Sequence, residues 1–369
     1  MADSSLDEAC AELCAAVDGV DWAPKRVSTA VTRIHALSSA APPAALDAAL
    51  EVLVARLRAG RLEDGDGLPH VAITGGALVE RGASPGPLGR ALLEKLPGVL
   101  AGARRFADAC LPEEQEEEDA EDDADESEED VLVRVDGRAI LRAVFRERLP
   151  ADRAGGCALA YLTQWTLSAV ACLSRDRALL VAARQDDVLR ARASAMASSD
   201  ASFLHVLLGA ALDTSAIVLH PVSGRGFRMR VDGVCSNFDL RALVEDVLME
   251  RGLPGKRNPP AVLAYLRGAT DRDPGKPLHG AFNLYTHRAA RFDTRVPSGV
   301  PTEHWVWNEG VPDDVPRLDG QLVLLAGPPM VERSWNSGRV FEEMRPSVVL
   351  EGELSKDEVR RWLERCAEA

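Results

Sequence analysis

Through most of the N-terminal half, apolar side chains return every three or four positions, the period of an amphipathic helix. The clearest stretch holds Leu46, Leu50, Leu53, Val54 and Leu57 on one face. Pro42 and Pro43 open it, because a first-turn residue needs no N–H, and Gly60 ends it. Similar stripes predict helices over 6–17, 27–37, 71–79 and 88–109. Helical pattern resumes at Gly137 with Ile140, Leu141, Val144 and Phe145, and runs on through Tyr161, Leu162 and Trp165 to Met196. Helices this close together in sequence imply helical hairpins packed on one another, with HEAT-like stacking as one arrangement.

Near Ala211 the pattern changes to short β-branched runs punctuated by Gly and Pro. The expected fold is therefore α+β: an all-α helical domain over 1–211, then a mixed α/β domain over 212–369 that begins with a β-hairpin at 215–231. With a three-residue loop at 224–226, Ser223 would pair with Phe227, His220 with Arg230 and Leu219 with Val231. That register puts Ile217, Leu219, Phe227, Met229 and Val231 on one face, and Val218, His220, Arg228 and Arg230 on the other. Asn237 is then placed to cap a helix carrying Leu240, Leu243, Val244, Val247 and Leu248, with Gly252 as its stop. Strands are expected at 281–286, 305–307, 322–326 and 348–354. The last helix has the clearest entry signal, since Ser355 and Glu358 form a capping box and Leu354 and Val359 occupy the staple positions.

Charge changes this picture in one place. The chain carries a net charge of -15, but the block 113–130 alone holds 14 acids and no bases. The rest is close to neutral. Such a block repels itself and reads as an acidic disordered loop over 112–130, inserted in the helical domain. With no basic stripe, nucleic acid is an unexpected partner. Seven cysteines without a repeated C-x-x-C spacing give no zinc or iron–sulfur signature, and their odd number points to a reducing, cytoplasmic setting. Arginine outnumbers lysine 38 to 5, as in GC-rich bacterial genomes. No stretch reads as a leader or a membrane anchor: the start is acidic, and the longest uncharged run, 155–174, carries Thr163, Gln164, Thr166 and Ser168.

Candidate chemistry is sparse. The glycines at 75, 76 and 82 lack the lysine and hydroxyl of a phosphate loop, as does the run from Leu324 to Pro329. His220, His287 and His304 have no spacing that pins any two to a metal, so no metal and no cofactor are implied. No catalytic motif appears, and whether the chain is an enzyme is left open. Two surfaces remain. Arg225 at the hairpin tip, with Arg228 and Arg230, could hold an anion beside His220 as acid or base. Tyr285, Trp305, Trp307, Arg333, Trp335 and Asn336 could line a pocket on loops of the mixed domain. The first functional reading is a cytosolic regulatory or scaffold protein that recognises a protein or peptide partner. The alternative is an enzyme acting on an anionic small molecule at the His220/Arg228/Arg230 face.

Overall fold

The computed structural model describes residues 5–18, 24–61, 67–111, 130–199, 202–336 and 338–369. The acidic block lies outside them apart from Asp130. The chain divides into two units, Met1–Leu208 and Gly209–Ala369.

The first unit is helical, as its sequence period requires: α1 (Leu6–Val17), α2 (Pro24–Ser38), α3 (Pro43–Ala59), α4 (Gly67–Glu80) and α5 (Pro85–Cys110) come first. α6 (Arg142–Arg148), α7 (Arg153–Ala160), α8 (Leu162–Leu173), α9 (Arg177–Gln185), α10 (Asp187–Ser194) and α11 (Ser202–Leu208) follow. α5 is the central element, packing on α3, α4 and each of α6 to α10. Its Leu88, Leu92, Leu96, Val99 and Leu100 are fully buried, each worth about 1.5–3 kcal/mol relative to exposure. The uncharged run 155–174 is two helices, α7 and α8, bent by 57° at Tyr161. Among the described residues no single helix is long and apolar enough to cross a membrane.

One expectation here is corrected. Gly137 does not start a helix but closes a hairpin between β1 (Val131–Val135) and β2 (Arg138–Leu141). Val135 pairs with Arg138 across a two-residue turn in which Asp136 (φ 53°) and Gly137 (φ 77°) are both left-handed. That is the mirror-image turn whose twist suits a hairpin, and Asp-Gly is its usual sequence.

The second unit is built on a six-stranded sheet. β3 (Thr214–His220), β4 (Arg225–Asp232), β6 (Asn283–Thr286), β7 (Arg317–Leu318), β8 (Gln321–Gly327) and β10 (Ser347–Glu353) form it, in the order β10-β4-β3-β8-β6 with β7 also on β8. All pairs are antiparallel except β3 with β8. β5 (Pro277–Gly280) and β9 (Arg333–Asn336) make a separate two-stranded sheet. One face of the main sheet packs Ala216, Val218, Phe227, Met229 and Val231 with residues of α12 (Asn237–Glu250) and α13 (Pro260–Leu266). The other packs Ile217, Leu219, Tyr285 and Leu325 with Val359 and Cys366 of α14 (Lys356–Glu368). α14 starts with the expected capping box, Ser355 Oγ accepting from Glu358 N–H at 3.3 Å and Ser355 N–H donating to the Glu358 carboxylate at 2.8 Å.

The hairpin register differs from the one expected. His220 pairs with Arg225, Val218 with Phe227 and Ile217 with Arg228, around a four-residue loop. The loop is a turn closed by Ser223 N–H on His220 O at 3.2 Å, with Gly224 left-handed at φ 65°. Ile217 and Leu219 therefore lie on the face opposite Phe227, Met229 and Val231. The helix after the hairpin is also capped one residue earlier than expected: Ser236, not Asn237, accepts from Asp239 N–H at 3.2 Å.

Candidate functional site

α12 is buried almost all round, which for a soluble helix implies an all-apolar sequence. It nonetheless carries Asn237, Asp239, Arg241, Glu245 and Asp246, all buried. Arg241, 1 % exposed, uses its whole fork: Nε donates to Asn308 Oδ1 (2.7 Å), Nη1 to Phe282 O (2.6 Å) and Nη2 to Val306 O (3.1 Å). One turn on, Glu245 accepts from the N–H groups of Ala281 (2.7 Å) and Phe282 (3.2 Å), with its carboxylate 3.9 Å from Arg241. Asn237 Nδ2 donates to Trp307 O at 2.9 Å. Three side chains of one helix thus clamp two loop segments, 281–282 and 306–308. Burial pushes the Glu245 carboxyl up to about 7, against the pull of its two N–H donors and of Arg241. It also lowers the Arg241 guanidinium, with Glu245 opposing.

The clamp holds an aromatic platform. Val306 points inward and its N–H donates to Leu284 O at 2.9 Å, so Trp305 and Trp307 are presented together beside β6. Their rings stack with centroids 5.6 Å apart and planes at 25°. Both indole N–H groups are tied to backbone five residues back, Trp305 Nε1 to Val300 O (3.0 Å) and Trp307 Nε1 to Thr302 O (3.1 Å). The rings are thereby fixed before anything binds. Fully buried Tyr285 meets the edge of Trp305 at 5.8 Å, and the Arg333 guanidinium lies over the Trp305 ring at 5.2 Å. Trp307 is 49 % exposed.

So of the six residues expected around a pocket, the structure brings together Tyr285, Trp305, Trp307 and Arg333. Trp335 packs instead on Phe238 at the start of α12 (5.9 Å), and Asn336 is exposed, paired with Pro277 in the small sheet. The sequence reading missed the clamp, because Arg241 and Glu245 look like the solvent side of an amphipathic helix.

The arginines of the hairpin are dispersed. His220 and Arg225 share the α12 face, while Arg228 and Arg230 lie on the other. Arg225 grips Glu353 with both arms of its fork (2.7 and 3.0 Å) and donates to Arg251 O at the end of α12 (2.9 Å). Arg230 pairs with Glu351 (2.8 Å) and Asp213 (3.2 Å). Arg228 is exposed. His220 is buried; its Nδ1 lies 2.7 Å from the Ser223 hydroxyl and accepts the Ser223 N–H at 3.3 Å. With Nδ1 accepting that N–H, the proton of the neutral ring lies on Nε2. Burial, then the charge of Arg225, lowers its proton affinity. This imidazole fastens the turn. His287 contacts Pro316 O through Nδ1 at 3.3 Å, and His304 packs on Phe292. Among the described residues no group of three His, Cys, Asp or Glu side chains could hold a metal ion.

The class that these features define is an α+β protein, a helical unit followed by a mixed sheet that carries a preset aromatic platform. Comparison with protein-family models, with curated proteins and with solved structures returned no match.

Proposed function

We propose that the chain is a regulatory or scaffold protein whose C-terminal unit recognises a protein or peptide partner, with Trp307, Trp305 and Arg333 as the contact surface. The observation that carries this reading is a half-exposed indole stacked on a second one, both with their N–H groups already satisfied internally. A rigid ring loses little conformational freedom on binding, and Trp and Arg dominate the residues on which association energy concentrates. Because neither indole N–H is free to donate, the partner engages the ring face, by an aromatic or prolyl side chain. Arg333, with its guanidinium on Trp305, favours an acidic residue beside it. An odd number of cysteines, seven, without a repeated C-x-x-C spacing supports a reducing cytoplasmic setting. Selection of a displayed peptide library on the full chain tests the reading. Enrichment of an extended motif with an aromatic or proline next to Asp or Glu is expected; no enriched motif overturns it.

A further inference from the structure

We propose that Arg339 and Arg345, which meet beside Gly268 just past α13, form a binding site for a phosphate group, either the free ion or the monoester of a small molecule.

The Arg339 side chain is 3 % exposed, yet only one arm of its fork is spent: Nη2 donates to Asp271 Oδ1 at 2.7 Å. Nε and Nη1 are buried and have no hydrogen-bond acceptor among the described residues. A buried guanidinium ordinarily places its N–H groups, as Arg241 does on three acceptors. The Arg339 group is also held from one side, lying over the Tyr265 ring at 5.2 Å.

A second cation stands beside it. A Cβ built on Gly268 (φ 67°) would lie 2.6 Å from Arg339 Nη1 and 2.9 Å from Arg345 Nη1, with Arg345 Cδ also at 2.6 Å. The two guanidinium groups therefore converge over a residue that has no side chain to separate them. Arg345 is exposed, and its Nη1 donates to backbone, to Glu342 O and to Met344 O, the latter at 3.2 Å. Like charges this close repel. The acid nearest in sequence order to the north of the pair is committed elsewhere: Asp246 takes Arg267, which precedes Gly268, at 2.7 Å and Arg257 at 2.6 Å. An anion bridging Arg339 and Arg345 removes the repulsion and gives Arg339 Nη1 its acceptor. A tetrahedral oxyanion suits the pair better than a planar carboxylate, because two separate guanidinium groups need acceptors in different directions. Arg339 is the fixed floor of this site. Arg345, long and exposed, is the side chain that moves to admit the anion. Neither residue belongs to the Trp305/Trp307 platform, so the site stands independently of peptide recognition.

Calorimetric titration of the full chain with inorganic phosphate and with phenyl phosphate, at constant ionic strength, tests the proposal. One saturable site per chain is expected for at least one of them, and the tighter of the two tells whether the free ion or an ester is the ligand. Arg345→Gln is expected to weaken binding at least about tenfold, the worth of a charge-assisted hydrogen bond. Arg339→Gln is expected to abolish it, and the exposed Arg345 position keeps the test decisive where Arg339→Gln does not fold. Acetate is expected to bind more weakly than either phosphate. No saturable binding of either phosphate, unchanged affinity in a folded variant, or acetate binding as tight as phosphate would each overturn it.

Discussion

Trp305 and Trp307 stack with their ring centroids 5.6 Å apart, and the second of them is half exposed while its indole N–H is spent on Thr302 O. A side chain held this way adds little to the core. Trp307→Ala should therefore change unfolding free energy by no more than about 1 kcal/mol, the range of substitutions at the surface with loss of one hydrogen bond. Denaturant unfolding of the two chains measures it. A loss of several kcal/mol would make Trp307 a core residue.

Arg241 is the opposite case. Removing its guanidinium strands Phe282 O, Val306 O, Asn308 and the buried Glu245 carboxylate without their partner. Breaking one member of such a buried charged network costs about 3–5 kcal/mol. Arg241→Met is expected to lower the urea midpoint accordingly and to alter the near-ultraviolet dichroism of Trp305 and Trp307, whose loop the clamp holds. Arg241→Lys should recover little, since one ammonium cannot reach three divergent acceptors with the geometry of a planar fork.

Asp239 sets a pH dependence. Burial pushes its carboxyl up to about 7, opposed by its bond with Ser236. A carboxyl whose folded value is raised binds its proton more tightly in the folded state, so its contribution to stability is complete below its unfolded value and lost as pH rises through about 7. Glu245, also raised to about 7, acts in the same direction. Stability should fall between about pH 4 and pH 7 on this account. Asp239→Asn should flatten part of that slope and stabilise the chain at pH 8 by about 1–3 kcal/mol, the position of Asp239 in the first turn of α12 moderating the gain. Urea titrations at pH 4 and pH 8 compare the two chains, and equal differences at both pH values would contradict it.

At the last helix, Ser355→Ala removes the acceptor for Glu358 N–H and one bond to the Glu358 carboxylate. Thermal or denaturant unfolding should show a loss of about 0.5–2 kcal/mol, while Ser355→Thr, which keeps a hydroxyl for both bonds, should restore most of it.

Much of the architecture was legible because helical stripes and cap signals are local. The Leu46 to Leu57 stripe and the Ser355 capping box are written within a few residues, and α3 and α14 follow them. The hairpin at 214–232 was harder for a physical reason. Its sheet is covered on both faces, so Ile217, Val218 and Leu219 are all fully buried and the alternation that normally sets register is missing. The usable signal was Pro221 after His220, since proline suits the second position of a turn, with Gly224 to take the left-handed residue. At Asp136-Gly137 the turn dipeptide was present, but the Ile140, Leu141, Val144 and Phe145 spacing masked it. Within the site, the strand expected at 305–307 is reduced to a single bridge of Trp305 with Tyr285. What the chain could not announce is that Arg241 and Glu245 point inward, because their partners, mostly backbone groups, lie 36 to 67 residues away.

The measurement closest to the central claim is the affinity of a library-selected peptide for the full chain and for Trp307→Ala, by titration calorimetry at equal folded stability. Trp307→Ala is expected to weaken binding by about 2 kcal/mol or more, roughly thirtyfold, with Arg333→Gln weakening acidic peptides in particular. Affinities within twofold of one another for the parent and Trp307→Ala chains would contradict the assignment of this platform as the recognition surface.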